Sequence, residues 1–342
     1  MREISIQKNE AGQRMDKFLA KYLNKAPKSF FYKMMRKKNI TLNGKKAVGN
    51  EQLKQGDVIK LFLAEETIEN FIDYSQFSKK KASSARKQTA GKKVQLDILY
   101  EDEAAVFINK PVGMLSQKAS PTDTSLVEYF IDYLLENGKI TEEELHTFHP
   151  SVCNRLDRNT SGIVAAGKTL QALQGLSEMF RDRTLKKYYL CLVKGQVKEN
   201  QRIHGYLVKN EKTNKVTVSQ KKPAEQTKDG KEASAIHTEY KVLARNRETT
   251  LLEVHLITGK THQIRAHLAS IGHPIAGDYK YGNRSFNDAL KKEYGLRSQL
   301  LHAYRLEFPE NCEGDIKQLS GKINKAPVPA LFERICKAQG VM

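Results

Sequence analysis

The stretch "NRLDRNTSGIVAAGK", residues 154–168, joins a polar turn to a short apolar run. An apolar run bounded by turn residues is typical of a buried strand. Residues 160–162 are small, as a tight turn requires, and at the tip of the turn Asp157 stands between Arg155 and Arg158. The stretch predicts a buried strand with one acid at its entry. A turn-capping aspartate and a catalytic carboxylate both fit that position.

The segments around this strand indicate an α+β fold. "AAVFINKP" predicts a strand that ends at Pro111, and "SLVEYFIDYLLENGK" predicts a helix that begins with a capping box at Ser125 and Glu128 and stops at Gly138. "TLQALQGLSEMF" predicts an amphipathic helix. Five strand-like segments then follow one another closely: "KKYYLCLVKG", "HGYLVKN", "KVTVSQ", "AIHTEYKVLAR" and "TTLLEVHLITG". Such close succession predicts a mostly antiparallel mixed sheet.

Composition indicates a globular chain with a polyanionic partner. A chain of 342 residues fits two domains. Its 58 Lys and Arg against 39 Asp and Glu give a net charge of +19, which favours RNA or DNA as the partner and ranks an anionic membrane below them. No run of 18 apolar residues occurs, and "MREISIQKNE" lacks the apolar core of a secretory signal. We therefore expect a cytoplasmic protein without a membrane partner.

Several common site types do not fit the sequence. The four cysteines lie far apart without a CxxC pair, which argues against a disulfide framework and a zinc ribbon. There is no GxG, and Val254 stands where "TGKTHQ" would need the first glycine of a phosphate loop. His262 and His267 are five residues apart, an awkward spacing for two metal ligands on one helical face. We expect neither a metal nor a cofactor.

The N-terminal region has a separate charge pattern. From Lys17 to Asn50 there are ten Lys or Arg and no acid. Two short amphipathic helices, a turn at Asn43-Gly44 and a further strand are predicted there. A solvated structural face is one interpretation of the charge, but the absence of acids favours phosphate contact. The basic residues of the second helix and its end are Lys33, Arg36, Lys37 and Lys38.

Two further polar segments sit in apolar surroundings. In "KKYYLCLVKG" Lys187 and Tyr189 share one face of a strand, and the second of them would ordinarily be plain core. "LITGKTHQIRAHLASIGHPIAGDYKYG" predicts a strand, a turn, a helix from about Thr261 and a Gly-Asp turn. On that helix His262 and Arg265 lie on one face. An arginine beside a buried face needs a carboxylate partner, and Asp157 is a candidate.

Together these motifs resemble known families. "GQRMDKFLAKYL…SFFYKMMRKKNITLNGKKA…LKQGDVIKL" resembles the S4 RNA-binding module. "FINKPVGMLSQ", "NRLDRNTSGIVAAGK", "KKYYLCLV", "GKTHQIRAHLASIGHPIAGDYKYG" and "LLHAYRLEF" resemble the motifs of the RluA-type RNA pseudouridine synthase family, most closely its S4-containing RluC and RluD branch, and RluC of the two. The resemblance implies an S4-like α/β domain at 12–64, a basic linker at 65–93 and a pseudouridine synthase domain at 94–342.

The resemblance also implies an activity and residue roles. It implies isomerisation of uridines in large-subunit ribosomal RNA, without cofactor or metal. Asp157 matches the essential aspartate, Tyr189 the tyrosine that stacks on uracil, and Arg265 the arginine that pairs with the aspartate. Substrate contacts are expected from Arg155, Arg158, Lys187, Lys110 and His262, and RNA contacts of the S4-like domain from Lys33, Arg36, Lys37 and Lys38.

Two positions depart from the family pattern, and two other functions remain as alternatives. Asn154 stands where the family commonly has histidine, and Lys260 where it commonly has arginine. The main alternative is a non-catalytic, S4-containing ribosome-assembly protein. An S4-linked RNA methyltransferase is disfavoured because the chain lacks a glycine-rich cofactor loop. A monomer is expected, because no heptad pattern or large apolar surface stripe occurs.

Overall fold

The computed structural model describes residues 1–73, 94–142, 144–210, 213, 215–222 and 233–342. Its helices are α1 Met15–Tyr22, α2 Lys28–Arg36, α3 Glu65–Asn70, α4 Leu126–Glu136, α5 Leu170–Asp182, α6 Gln263–Ser270, α7 Arg284–Tyr294 and α8 Ala330–Ala338. Short 3-10 turns lie at Glu144–His146 and Gly314–Leu319. No helix in these ranges is long and apolar enough to cross a membrane.

The strands form two sheets. They are β1 Arg2–Ser5, β2 Ile40–Leu42, β3 Lys45–Lys46, β4 Val58–Leu61, β5 Ile98–Glu101, β6 Ala105–Lys110, β7 Ser151–Val152, β8 Ser161–Gly167, β9 Lys186–Lys194, β10 Gln201–Asn210, β11 Lys215–Ser219, β12 Ser234–Arg245, β13 Thr249–Leu256, β14 Leu301–Glu307 and β15 Ile323–Lys325. The small sheet has the order β1-β4-β2-β3. The large sheet runs β11-β10-β12-β13-β9-β14-β8-β6-β5, with β15 beside β14 and β7 beside β8.

The large sheet is mixed and mostly antiparallel, as predicted. The β14–β8 contact is parallel, and the other described pairs of the sheet are antiparallel. Apolar residues of α4 and α6 cover one face of the sheet, where they pack with Tyr189, Cys191 and Val193 of β9. Residues of α5, α7 and α8 pack against the other face. The predicted capping box at Ser125 and Glu128 is present at the start of α4.

The N-terminal region has a core of its own, and its bounds differ from the expected ones. Strand β1 pairs with β4, so the unit begins near Arg2 rather than at residue 12. Helix α3 occupies the start of the expected linker, and Ile68 and Ile72 are buried in the N-terminal core. This segment orders because its apolar residues return to that core. The rest of the expected linker, 74–93, and most of the polar loop after β11, 223–232, lie outside the described residues.

Gly162 allows β8 and β14 to pack closely. Its φ is +115°, and a Cβ built there would lie 2.1 Å from the carbonyl oxygen of Ala303, its partner on β14. Backbone cannot yield as a flexible side chain can. The glycine is therefore required both by its backbone conformation and by the space available.

We expect Gly162→Ala to lower the free energy of unfolding by at least about 3 kcal/mol, because it combines backbone strain with a clash against main chain. Gly44→Ala is the matched control, since Gly44 also has a positive φ, +73°, but has no atom within 4 Å of the added Cβ. That variant should lose only about 1 kcal/mol. Urea denaturation of both proteins measures the difference. Equal losses would show that the contact with Ala303 relaxes.

Candidate active site

The loop before β8 is clamped to the segment that follows β6. Leu156 is buried, and its N–H and C=O both bond the hydroxyl of Ser116, at 3.0 and 2.9 Å. The N–H of Gly113 donates to the carbonyl of Arg158 at 2.9 Å. Because Leu156 points inward, Asp157 is held at the surface of a rigid loop, with both neighbouring arginines exposed.

Asn154 has a structural role in the same loop. Its amide nitrogen donates to the carbonyl of Ile163 at 3.2 Å, and its amide oxygen accepts from the N–H of Ala165 at 2.8 Å. A carboxamide offers a donor and an acceptor side by side, as a strand edge does. Asn154, one of the two departures from the family pattern, thus joins the loop before β8 to the strand itself. Lys260, the other departure, is exposed and lines the cavity described below.

Asp157 and Arg265 form the predicted ion pair. Arg265 Nη1 lies 2.8 Å from Asp157 Oδ2, although 108 residues separate them in the chain. The same guanidinium donates from Nε and Nη2 to Asp278, at 2.7 and 3.0 Å. Burial alone would lower the pKa of Arg265, but its bonds to Asp278 and Asp157 raise that pKa well above the ordinary value. Arg265 is therefore a permanent cation that joins a buried carboxylate to the one at the cavity.

Asp278 is the main site residue that sequence reasoning missed. Its side chain is 1% exposed, whereas that of Asp157 is 27% exposed. Its Oδ1 also accepts the N–H groups of Lys280 and Tyr281, at 2.9 and 3.1 Å. The signal in the sequence was the Gly277-Asp278 turn, which local reasoning assigned only to turn formation. A fully buried acid in such a turn requires a cation, and Arg265 supplies it.

A cavity of about 1010 Å³ opens around Asp157. Among its described lining residues Asp157 is the only carboxylate. The Lys and Arg residues that line it are Lys118, Arg155, Arg158, Arg181, Arg183, Lys187, Lys209, Lys260 and Arg265. A cationic lining favours a polyanion as the ligand. The volume of the cavity is large enough for one nucleotide.

The structure brings most of the predicted catalytic and substrate residues to this one cavity. Its lining includes Arg155, Asp157, Arg158, Lys187, Tyr189, His262 and Arg265. Lys33, Arg36, Lys37 and Lys38 lie elsewhere, exposed on α2 and the turn that follows it in the N-terminal unit. These residues come from three separate stretches of the chain, 155–158, 187–189 and 262–265.

Tyr189 is buried in the strand next to the cavity. Its neighbours in the sheet are Val254 on β13 and Ala303 on β14. Burial, and secondarily the charge of Asp157, raise the pKa of its hydroxyl well above the ordinary value. The phenol is therefore protonated near neutral pH in the free protein. It presents an aromatic surface and a hydroxyl donor, not a phenolate base.

Lys110 does not reach the cavity, which corrects its expected role in substrate binding. Its side chain is fully buried, and Nζ donates to the carbonyls of Pro111, Met114 and Arg158 at 3.0, 2.9 and 3.1 Å. These three bonds use all three protons of an ammonium group. Burial lowers the pKa of Lys110 to about 8, opposed by the charge of Asp157. Lys110 thus joins the segment after β6 to the loop before β8.

His262 lies outside the helix on which it was predicted. Helix α6 begins at Gln263, and His262 precedes it with a left-handed backbone, φ +55°. Gln263 causes this late start, because its side chain accepts from the N–H of Lys260 and donates to the carbonyl of His237. The imidazole still reaches the site, with Nε2 4.0 Å from Asp157 Oδ2.

Lys187 is buried beside Tyr189 with no carboxylate within ion-pair distance among the residues that the structure describes. Burial, with a smaller contribution from the charge of Arg183, lowers its pKa to about 8. The group is therefore a cation below pH 8 and becomes neutral as the pH rises through that value.

If Lys187 holds a phosphate, kcat/KM for RNA should fall up to about tenfold as the pH rises through 8, because a charge-assisted hydrogen bond is lost. The profile is measured from pH 6.5 to 9.5, since kcat/KM reports groups of the free enzyme. Lys187→Met should be weaker at low pH and lack this decline. Lys186→Met changes an exposed neighbour and should keep it. A decline that persists in Lys187→Met would assign it to another group.

Within the described ranges no three His, Cys, Asp or Glu side chains converge as metal ligands would. The four cysteines are free thiols, and three of them are buried.

Comparisons with known proteins identify relatives of this chain. A family model described as "RNA pseudouridylate synthase" matches residues 104–270. The chain is 34% identical over 336 residues to "Ribosomal large subunit pseudouridine synthase C" of Vibrio parahaemolyticus, which covers 97% of this chain and 94% of that relative. A relative of the same name from Salmonella typhi is 31% identical over 327 residues, with 94% and 93% covered. The solved structure "Human RNA Pseudouridylate Synthase Domain Containing 4" matches with a TM-score of 0.54 and 24% identity, over 79% of this chain and 99% of that chain.

Proposed function

The chain belongs to the RluA-type RNA pseudouridine synthase family. We propose that it isomerises uridines of large-subunit ribosomal RNA in the cytoplasm and that Asp157 is the reacting group. The names of its relatives support the substrate. The observation that carries the proposal is the single carboxylate in a cationic cavity, paired with a buried arginine.

The reaction needs one ionised carboxylate and no redox step. The bond from C1′ to N1 breaks, the base turns, and C5 bonds to C1′; the C5 hydrogen leaves to solvent as a proton and N1 takes up a proton. An ionised Asp157 is suited either to attack C1′ or to remove a proton from the sugar. In both routes Arg265 donates a hydrogen bond to Oδ2 of Asp157, at 2.8 Å. Its second carboxylate, Asp278, keeps the guanidinium in place whether or not substrate is bound.

The uridine must leave its stack to reach Asp157. Extrusion costs about a few kcal/mol, and stacking on an aromatic side chain returns about 1–3 kcal/mol per base. Phe180 and Tyr189 both line the cavity, and Tyr189, which is close enough to feel the charge of Asp157, supplies that surface. Arg155 and Arg158 are exposed on either side of Asp157 and hold the phosphates or the position that the base vacates.

Release of the C5 hydrogen tests the activity directly. Ribosomal RNA carrying tritium at C5 of uridine is incubated with the protein alone, and each isomerisation transfers one tritium to water. Release in the absence of any added cofactor supports the synthase. A non-catalytic assembly factor would bind the same RNA and release none.

We also propose that the N-terminal unit, with the basic linker after it, is an S4-like RNA-binding module for the same substrate. Replacement of Lys33, Arg36, Lys37 and Lys38 by Ala should raise KM about tenfold or more at unchanged kcat. The dependence of log Kd on log salt should flatten by about one for each phosphate that the variant no longer neutralises. A matched control replaces four exposed lysines of the catalytic region, Lys291, Lys292, Lys317 and Lys325. Equal effects of the two variants would show a general charge effect only.

A further inference from the structure

Tyr281 connects three parts of the active site. It follows Asp278 in the turn after α6, and its N–H donates to Asp278 Oδ1. Its hydroxyl oxygen lies 3.0 Å from the backbone nitrogen of Val216 on β11 and 2.9 Å from Nδ1 of His262. The guanidinium of Arg265 lies over its ring, 5.2 Å from the centroid. Tyr281 thus contacts His262 and Arg265, the two residues whose side chains face Asp157.

The direction of these hydrogen bonds follows from the donors available. A backbone N–H can only donate, so Val216 uses a lone pair of the Tyr281 hydroxyl. The hydroxyl keeps its single proton for donation, and Nδ1 of His262, 2.9 Å away, is the acceptor that we assign to it. An imidazole that accepts at Nδ1 carries its own proton on Nε2. That nitrogen is the one that lies 4.0 Å from Asp157 Oδ2.

The charges around His262 agree with a neutral ring. Burial, followed by the charges of Arg265 and Lys280, lowers the pKa of His262 below its ordinary value, while Asp157 and Asp278 act in the opposite direction. With Tyr281 these are the titratable and charged groups that face the ring from the catalytic loop, from α6 and from the turn after it. These charges therefore favour a neutral ring over a cation.

The two oxygens of Asp157 have different surroundings. Arg265 Nη1 and His262 Nε2 both lie nearest to Oδ2. The hydrogen bond from Arg265 is made to Oδ2. Oδ2 is thus the oxygen that faces both Arg265 and His262, and Oδ1 is the oxygen that neither of them uses.

We propose that Tyr281 is a positioning residue: held by the N–H of Val216, its hydroxyl fixes His262 in the Nε2–H tautomer, so that His262 and Arg265 together donate to one oxygen of Asp157 and the other oxygen meets the uridine. The proposal rests on the proposed function for its catalytic consequence. We expect the separation of 4.0 Å to shorten to a hydrogen bond when substrate is bound, as catalytic contacts commonly do.

The tautomer is measured in the free protein, independently of activity. In two-dimensional ¹⁵N–¹H NMR, His262 of the wild type should show an unprotonated Nδ1 and a protonated Nε2. Tyr281→Phe keeps the ring under Arg265 but removes the hydroxyl, so the tautomers should mix and the pKa of His262 should rise, since the neutral ring loses a donor. Tyr279→Phe is the matched control, because that hydroxyl bonds Asp288 on the surface. A protonated Nδ1 in the wild type would overturn the proposal.

The kinetic test uses the same variants. Tyr281→Phe should lower kcat about tenfold with KM within twofold, and should move the acid limb of the kcat profile to higher pH, whereas Tyr279→Phe should change neither. In a His262→Gln background, Tyr281→Phe should cause no further loss, because the tyrosine acts through the histidine. The proposal is contradicted if the losses in kcat of the two substitutions add, or if Tyr281→Phe has the same kcat as the Tyr279→Phe control. Absence of tritium release from the wild type would refute the proposed function while leaving the NMR result standing.

Discussion

Asp157→Asn is expected to abolish tritium release from C5-labelled ribosomal RNA, with a fall in rate of at least about 10⁴-fold. An amide has nearly the same shape as the carboxylate, but it is neither a nucleophile nor a base at neutral pH. Asp157 is the only carboxylate among the described lining residues of the cavity, so no neighbour replaces it. The residual binding surface remains, and affinity for RNA should change by no more than a few fold.

Two measurements separate loss of chemistry from loss of structure. Asp157 is partly exposed, and its replacement leaves Arg265 paired with Asp278, so the melting temperature should stay within about 2 °C of the wild type. Asp288→Asn, at an exposed acid on α7, is the matched control and should keep full activity. If Asp157→Asn retained more than about one hundredth of the wild-type rate, another group would perform the reaction.

Arg265→Ala should damage both activity and stability. It removes the cation that holds Asp157, which should lower kcat about 100-fold or more. It also leaves Asp278 buried without a charge partner, and breaking a buried ion pair in this way costs about 3–5 kcal/mol. Urea denaturation and single-turnover tritium release measure the two effects on the same protein.

Two further variants separate these effects. Arg265→Ala/Asp278→Ala removes both members of the buried ion pair, so stability should recover in part while activity stays low. Arg305→Ala is the matched control, because Arg305 pairs with Glu253 and Glu307 in the same sheet but does not line the cavity. It should lose about 1 kcal/mol and keep its kcat. Near wild-type turnover of Arg265→Ala would show that the ion pair does not activate Asp157.

Local patterns predicted the elements well. The apolar run after Asp157 is the fully buried strand β8, and the capping box places the start of α4. Alternation along β9 predicted that Lys187 and Tyr189 share one face of the strand; both line the cavity, and Tyr189 also packs in the main core. The prediction was wrong at the start of α6, where Gln263 holds a turn that propensity alone does not reveal. It was also wrong at 65–70, because contact with a distant core makes a helix there.

The amino-acid pattern was enough to predict the turns, strands and helix faces, because these depend on neighbours a few positions apart. It also indicated that Arg265 needs a carboxylate, since an unpaired buried cation is costly. Three contacts were visible only in the folded chain: Arg265 pairs with two carboxylates, Lys110 bonds buried carbonyls, and the Tyr281 hydroxyl contacts His262. Those contacts join segments far apart in the chain, and their partners depend on which elements the packed sheet brings together.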